Sequence, residues 1–127
     1  MLTLFNDVTR ELSKMEKETL VPMLLETLSN THETNKYTTK HLTGWFDACR
    51  IKVSDARIRK MINYIRTHYL TKPHMLVGTS KGYFLTMDSE IVDAQIDSIQ
   101  GRIDAEIYLR ESFKEQRDYI KKLKSNN

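Results

Sequence analysis

The sequence predicts a mainly α-helical fold with a small β-hairpin and a long C-terminal helix. Three observations carry this reading. Apolar residues recur at helical spacing in three successive segments before residue 70; two β-prone runs joined by a polar turn follow Pro73; helical spacing then resumes near Asp88 and persists towards the end.

The elements follow in order. Residues 1–12 are expected to be an arm or a short extra helix. Ser13-Lys-Met-Glu16 has the form of a capping box, in which hydroxyl and carboxylate satisfy free helix N–H groups. Leu20, Met23, Leu24 and Leu28 then mark a first helix, with Pro22 inside it as an expected kink. The polar stretch Asn30–Lys36 reads as a loop. A second helix starts at Thr38 or Thr39 and buries Leu42, Trp45, Phe46 and Cys49 on one face. After the short connection Arg50–Val53, Ser54 caps a third helix running to Tyr69, with the apolar stripe Ile58, Met61, Ile62, Ile65 and Tyr69. Pro73 ends it.

Met75–Gly78 and Tyr83–Thr86 are the β-prone runs, and Thr79–Gly82 is the turn between them. Gly78 to Gly82 lacks the GxxxxGK[ST] spacing of a phosphate-binding loop, so a hairpin is expected. Asp88 or Ser89 then caps a helix running to about Lys124. Gly101 weakens that helix by roughly 1 kcal/mol relative to alanine. The expected division is an arm (1–12), a helical domain with a hairpin (13–87) and the long helix with its tail (88–127). Three short helices followed by a hairpin form the winged helix-turn-helix arrangement.

At 127 residues, 39% hydrophobic and 29% charged, the composition suits one globular domain. No apolar run approaches the roughly 18 residues of a membrane span, and MLTLFNDVTR, lacking a basic start and a sustained apolar core, is not expected to be a signal peptide. With Cys49 the only cysteine, no internal disulfide is possible. A soluble protein of a reducing compartment, the bacterial cytoplasm, is expected. The net charge of +3 says little, but its distribution says more. Residues 50–72 carry seven basic side chains against one acidic; residues 88–109 carry one against six, and residues 110–127 six against three.

With the stripe of the third helix facing the core, Ala56, Lys60, Asn63, Tyr64 and Thr67 fall opposite, at about 100° per residue. Arg57, Arg59 and Arg66 flank them, and Asp55 complements the helix dipole. Arg and Lys can contact guanine or phosphate, Asn can read adenine, and Ala or Thr can pack on a thymine methyl. Ala56, Arg57, Arg59, Lys60 and Asn63 are therefore the expected major-groove residues, beside the helix N-terminus at Ser54. Arg50, Lys52 and Arg66 are expected on the phosphate backbone, and Ser80 and Lys81 at the hairpin tip on a phosphate or the minor groove. The expected partner is double-stranded DNA.

The run Val53–Arg66 followed by Leu76–Leu85 resembles small, mostly uncharacterised winged-helix proteins of bacteriophages and mobile elements. In these an ARxRKxIxxIR helix precedes an SKGYY hairpin; here Phe84 stands where a second tyrosine is common. The resemblance spans about residues 13–110. It implies the winged-helix fold and, by analogy, DNA binding in a regulatory or replication role.

Val92, Ile96, Ile99, Ile103 and Ile107 are too many for a solvated helix, so some are expected to pack on the winged-helix core. The helix also outruns a small domain, so a homodimer through Ile103, Ile107, Phe113 and Ile120 is expected to bring two reading helices to adjacent half-sites. The spacing is not a sustained heptad. His32, His41, His68 and His74 are scattered, Cys49 reads as a small core residue, and no nucleophile–base set appears. Neither enzyme activity nor a metal or other cofactor is expected. The competing readings are a module that binds or inhibits a host protein, and a structural dimer built on the long helix alone.

Overall fold

The computed structural model describes residues 11–126. It is mainly helical, with one two-stranded antiparallel hairpin. The chain divides into two units at Ser89/Glu90, close to the expected boundary at 87/88. Of the N-terminal arm only Glu11 and Leu12 are described, and Leu12 is buried in the core.

The first unit opens with the capping box. The Ser13 N–H donates to Glu16 Oε1 at 2.8 Å, and the Glu16 N–H donates to Ser13 Oγ at 3.1 Å. A π-helical turn, Glu16–Leu20, leads into helix α1, Val21–Leu28. Pro22 has no N–H and its ring crowds the carbonyl four residues back. The helix meets this with a widened turn directly before the proline, where the Val21 N–H reaches Glu16 C=O five residues back.

Helix α2, Thr39–Ala48, is capped by Thr38, whose hydroxyl accepts from the His41 N–H while His41 Nδ1 accepts from the Thr38 N–H. Helix α3, Asp55–Thr67, is capped by Ser54, which accepts from the Arg57 N–H at 3.2 Å. Both helices end in the same way. After α2, Arg50 adopts φ 63°, with Arg50 N–H on Asp47 C=O and Ile51 N–H on Phe46 C=O. After α3, Tyr69 adopts φ 54°, with Tyr69 N–H on Arg66 C=O and Leu70 N–H on Ile65 C=O. These are Schellman closures with a non-glycine residue in the left-handed position.

They correct two expectations. Cys49 has left the helical path and is exposed, so the buried face of α2 is Leu42 and Phe46, with Trp45 half-buried edge-on to Phe46. Tyr69 does not extend the stripe of α3; the reversal leaves it 62% exposed.

Strands β1, Met75–Thr79, and β2, Gly82–Thr86, pair with Leu76 opposite Leu85 and Thr79 opposite Gly82, leaving Ser80-Lys81 as a two-residue tip. Asn30–Lys36 is a loop, as expected, closed by an isolated bridge between His32 and Asn35. Just beyond it Tyr37 pairs with Tyr83 as an isolated bridge through two backbone hydrogen bonds, of 3.0 and 2.7 Å. Gly82, at φ 127°, lies against the Tyr37 carbonyl, where a Cβ would come within 2.8 Å. The buried Thr31 hydroxyl donates to Leu28 C=O and accepts from the Leu85 N–H, tying the end of α1 to the hairpin. The core gathers Leu20, Leu24 and Leu28, then Leu42 and Phe46, then Ile58, Met61, Ile62 and Ile65, with Leu76 from the hairpin.

The second unit is helix α4, Ser89–Ser125. None of its residues is buried. Ile96, Ile99, Ile103 and Ile107 are each more than two-fifths exposed. No helix of the described residues is long and apolar enough to cross a membrane.

Candidate nucleic-acid interface

The basic face of α3 divides into two sets. Ala56, Arg59, Asn63 and Thr67 are exposed along its outer side, and Ser54 and Asp55 are exposed at its start. Arg50 and Lys52 are exposed in the turn before it, and Ser80 and Lys81 at the hairpin tip. These positions agree with the face read from the periodicity.

Arg57, Lys60 and Arg66 belong to the second set, each held by a partner within the protein. Arg57 Nε lies 3.2 Å from Glu16 Oε2, and Lys60 Nζ lies 3.1 Å from Glu16 Oε1. The Glu16 side chain is 2% exposed, against 37% for Arg57 and 18% for Lys60. Lys60 Nζ also donates to Glu11 C=O. A desolvated carboxylate attracts cations far more strongly than a hydrated one, so both side chains fold inward onto it. Burial pushes the Glu16 carboxyl up, but the Ser13 N–H and the Lys60 and Arg57 hydrogen bonds outweigh burial and hold it below its ordinary value. One glutamate therefore closes the capping box and anchors α3 to the start of the chain. Periodicity cannot reveal this, because Glu16 and Arg57 are far apart in sequence.

Arg66 turns towards the hairpin. Its Nε donates to Leu76 C=O at 3.1 Å, and its guanidinium sits 5.6 Å from the centre of the Tyr83 ring. A Cβ on Gly78 would come within 2.9 Å of both the Arg66 guanidinium and the Tyr83 ring, so the glycine leaves room for this contact. Arg66 thus fixes the hairpin beside α3. Tyr64 is half-buried and stacks on the exposed His68, ring centres 4.0 Å apart. His68 donates from Nδ1–H to Tyr64 C=O at 2.9 Å.

Sequence reading did not group the residues of a separate cleft of about 500 Å³. It is lined by Glu26, Asn30, Asn35, Tyr37, His41 and Trp45, among others. These residues come from α1, the loop after it and the first turns of α2, and Asn35 Nδ2 donates to Asn30 C=O across the loop. Among the described residues no three His, Cys, Asp or Glu side chains cluster as metal ligands. Comparison with known proteins finds no matching family model, curated protein or solved structure.

Proposed function

We propose that the first unit is a winged helix-turn-helix module that binds double-stranded DNA through α3, with the hairpin as its wing. The role would be that of a regulator or replication accessory of a phage or mobile element, as the motif resemblance suggests. The observation that carries the reading is the exposed outer side of α3. It presents Ala56, Arg59, Asn63 and Thr67, preceded by Arg50 and Lys52, with Asp55 at the first turn as its acidic residue. Those side chains suit base edges and phosphates, and the capped N-terminus suits a phosphate. Arg59 and Asn63 are assigned to the groove, Arg50, Lys52 and Lys81 to the backbone. Arg57, Lys60 and Arg66 are assigned to holding the reading helix in place.

The experiment is a mobility shift with duplex DNA across a salt series. Arg59→Ala should weaken binding at least tenfold and leave the fold intact, because its side chain is exposed and the change touches no core residue. Duplex binding that Arg59→Ala and Asn63→Ala both leave unchanged sinks this assignment.

The cleft beside Trp45 favours a second reading, a module that binds a host protein, since a concave site with an indole, a phenol and a carboxylate suits an anchoring side chain. It predicts co-purification with a partner that is lost on Trp45→Ala and unaffected by Arg59→Ala.

A further inference from the structure

Helix α4 is long, solvent-facing and unevenly charged, and its exposed side chains form a seam that a straight-helix reading hides. In a frame of seven residues per two turns, Val92, Ile99, Glu106, Phe113 and Ile120 occupy one column. Ile96, Ile103, Arg110, Arg117 and Lys124 occupy the adjoining one. Val92 is half-buried, and Ile96, Ile99, Ile103, Phe113 and Ile120 are exposed. Two grooves run down this face. One is lined by Ile99, Arg102, Ile103, Glu106, Ile107 and Arg110, the next by Leu109, Phe113, Lys114 and Arg117 with Glu106 and Arg110 again. Gly101 points away from the seam, with open space around its Cβ position.

We infer that the seam is the docking surface for a second copy of this chain, with the two α4 helices running antiparallel. Charge selects the direction. A parallel pair in register stacks Glu106 on Glu106, Arg110 on Arg110, Arg117 on Arg117 and Lys124 on Lys124. In the antiparallel register that sets Arg110 against Glu106 of the second copy, those like-charge layers vanish. Ile96 then meets Ile120 of the second copy and Ile103 meets Phe113. Along the edges Asp93 meets Lys121, and near the two-fold axis Ile107 meets Ile107 and Leu109 meets Leu109. The acidic first half of each helix thus lies along the basic second half of the other. At present Arg110 is paired with its neighbour Glu111 on the open surface, an exposed contact that a facing carboxylate can replace.

This register changes the geometry expected of a dimer. The chain enters the two helices about 57 Å apart, at 1.5 Å per residue. That exceeds one turn of duplex DNA, about 34 Å, the spacing of adjacent half-sites. The inference stands independently of DNA binding.

The test uses the full chain in sedimentation equilibrium. The expected result is a dimer. Glu106→Arg alone and Arg110→Glu alone should each weaken it at least tenfold, and the two together should restore it. None of these residues is buried, so the first unit stays folded, as Trp45 fluorescence reports. A second measurement fixes the direction in a Cys49→Ser background. Mixed Ile103→Cys and Phe113→Cys chains should cross-link to each other faster than Ile103→Cys to itself. A monomer at 100-fold above the protein concentration of the DNA assays overturns the proposal. So does a dimer in which the double exchange fails to restore pairing, or one in which Ile103→Cys cross-links preferentially to itself.

Discussion

Replacing Glu16 by glutamine separates the structural from the functional role of the α3 cations. The amide can still accept from the Ser13 N–H, so the capping box survives, while the charge that holds Arg57 and Lys60 is removed. Two charge-assisted contacts to a buried acceptor would contribute about 1.5–3 kcal/mol each. Arg57 is more than a third exposed and its share is screened, so the combined loss is about 2 kcal/mol. For a unit of this size that lowers the midpoint of thermal unfolding by roughly 10 °C. Fluorescence of the single tryptophan, Trp45, follows the transition.

The pH dependence has a definite sign. The Glu16 carboxyl is held below its ordinary value of 4.5, so its contribution is complete above that pH. It is lost as the pH falls through the lower folded-state value. Wild type and Glu16→Gln should therefore differ at pH 7 and converge in acid. The released Arg57 and Lys60 become available to phosphate, so DNA affinity should rise and its salt slope steepen by about 0.9 per new contact. Stability that is equal at pH 7, or a gap that persists unchanged into acid, refutes the ion-pair account. Loss of stability with weaker DNA binding refutes the division of roles on α3.

Further outcomes follow from the packing. Gly82→Ala meets the Tyr37 backbone at 2.8 Å in a left-handed conformation and should destabilise the first unit by about 2 kcal/mol or more, measured by urea unfolding. Thr31→Val removes the link from α1 to β2 and leaves the Leu85 N–H without its acceptor, at about 1–3 kcal/mol, whereas Thr31→Ser should be nearly neutral in the same assay. Arg50→Gly relieves a left-handed arginine and should raise the unfolding midpoint by a few degrees, through about 1 kcal/mol of strain. It should also weaken DNA binding if Arg50 meets a phosphate. Gly101→Ala fills open space and should add about 1 kcal/mol of helix stability, visible as increased far-ultraviolet helical signal.

Most elements were legible because each obeys a local rule. The stripe Ile58, Met61, Ile62 and Ile65 is buried as its spacing requires, Ser54 caps α3, and the two-residue turn sits before Gly82. What was not legible depends on conformations that residue type does not announce. Schellman closures usually advertise themselves with glycine. Here Arg50 and Tyr69 take that position, so no glycine marks either closure, and Cys49 and Tyr69 are read as part of the buried faces. His41 closes a capping box where glutamate or glutamine is usual. The bridge between Tyr37 and Tyr83 joins segments separated by two helices, and no local pattern encodes it.

The site is less legible than the fold, for an electrostatic reason that a salt series can measure. Counting charge along the chain gives seven cations in residues 50–72. Space assigns them differently. Arg57 and Lys60 serve Glu16, Arg66 serves the hairpin, and Lys72 lies 5.2 Å from the centre of the Tyr69 ring. Arg50, Lys52 and Arg59 remain on the open face, joined by Lys81 from the hairpin tip. With Arg59 in the groove, the three phosphate contacts of Arg50, Lys52 and Lys81 give a slope of log affinity against log salt of about −2.7, whereas engaging all seven helix-region cations with Lys81 would steepen it to about −7. A slope near −2.7 that steepens in Glu16→Gln supports the assignment. A wild-type slope near −7 means that Arg57, Lys60 and Arg66 exchange their protein partners for phosphate on binding, and the anchoring role given to Glu16 then describes only the free protein.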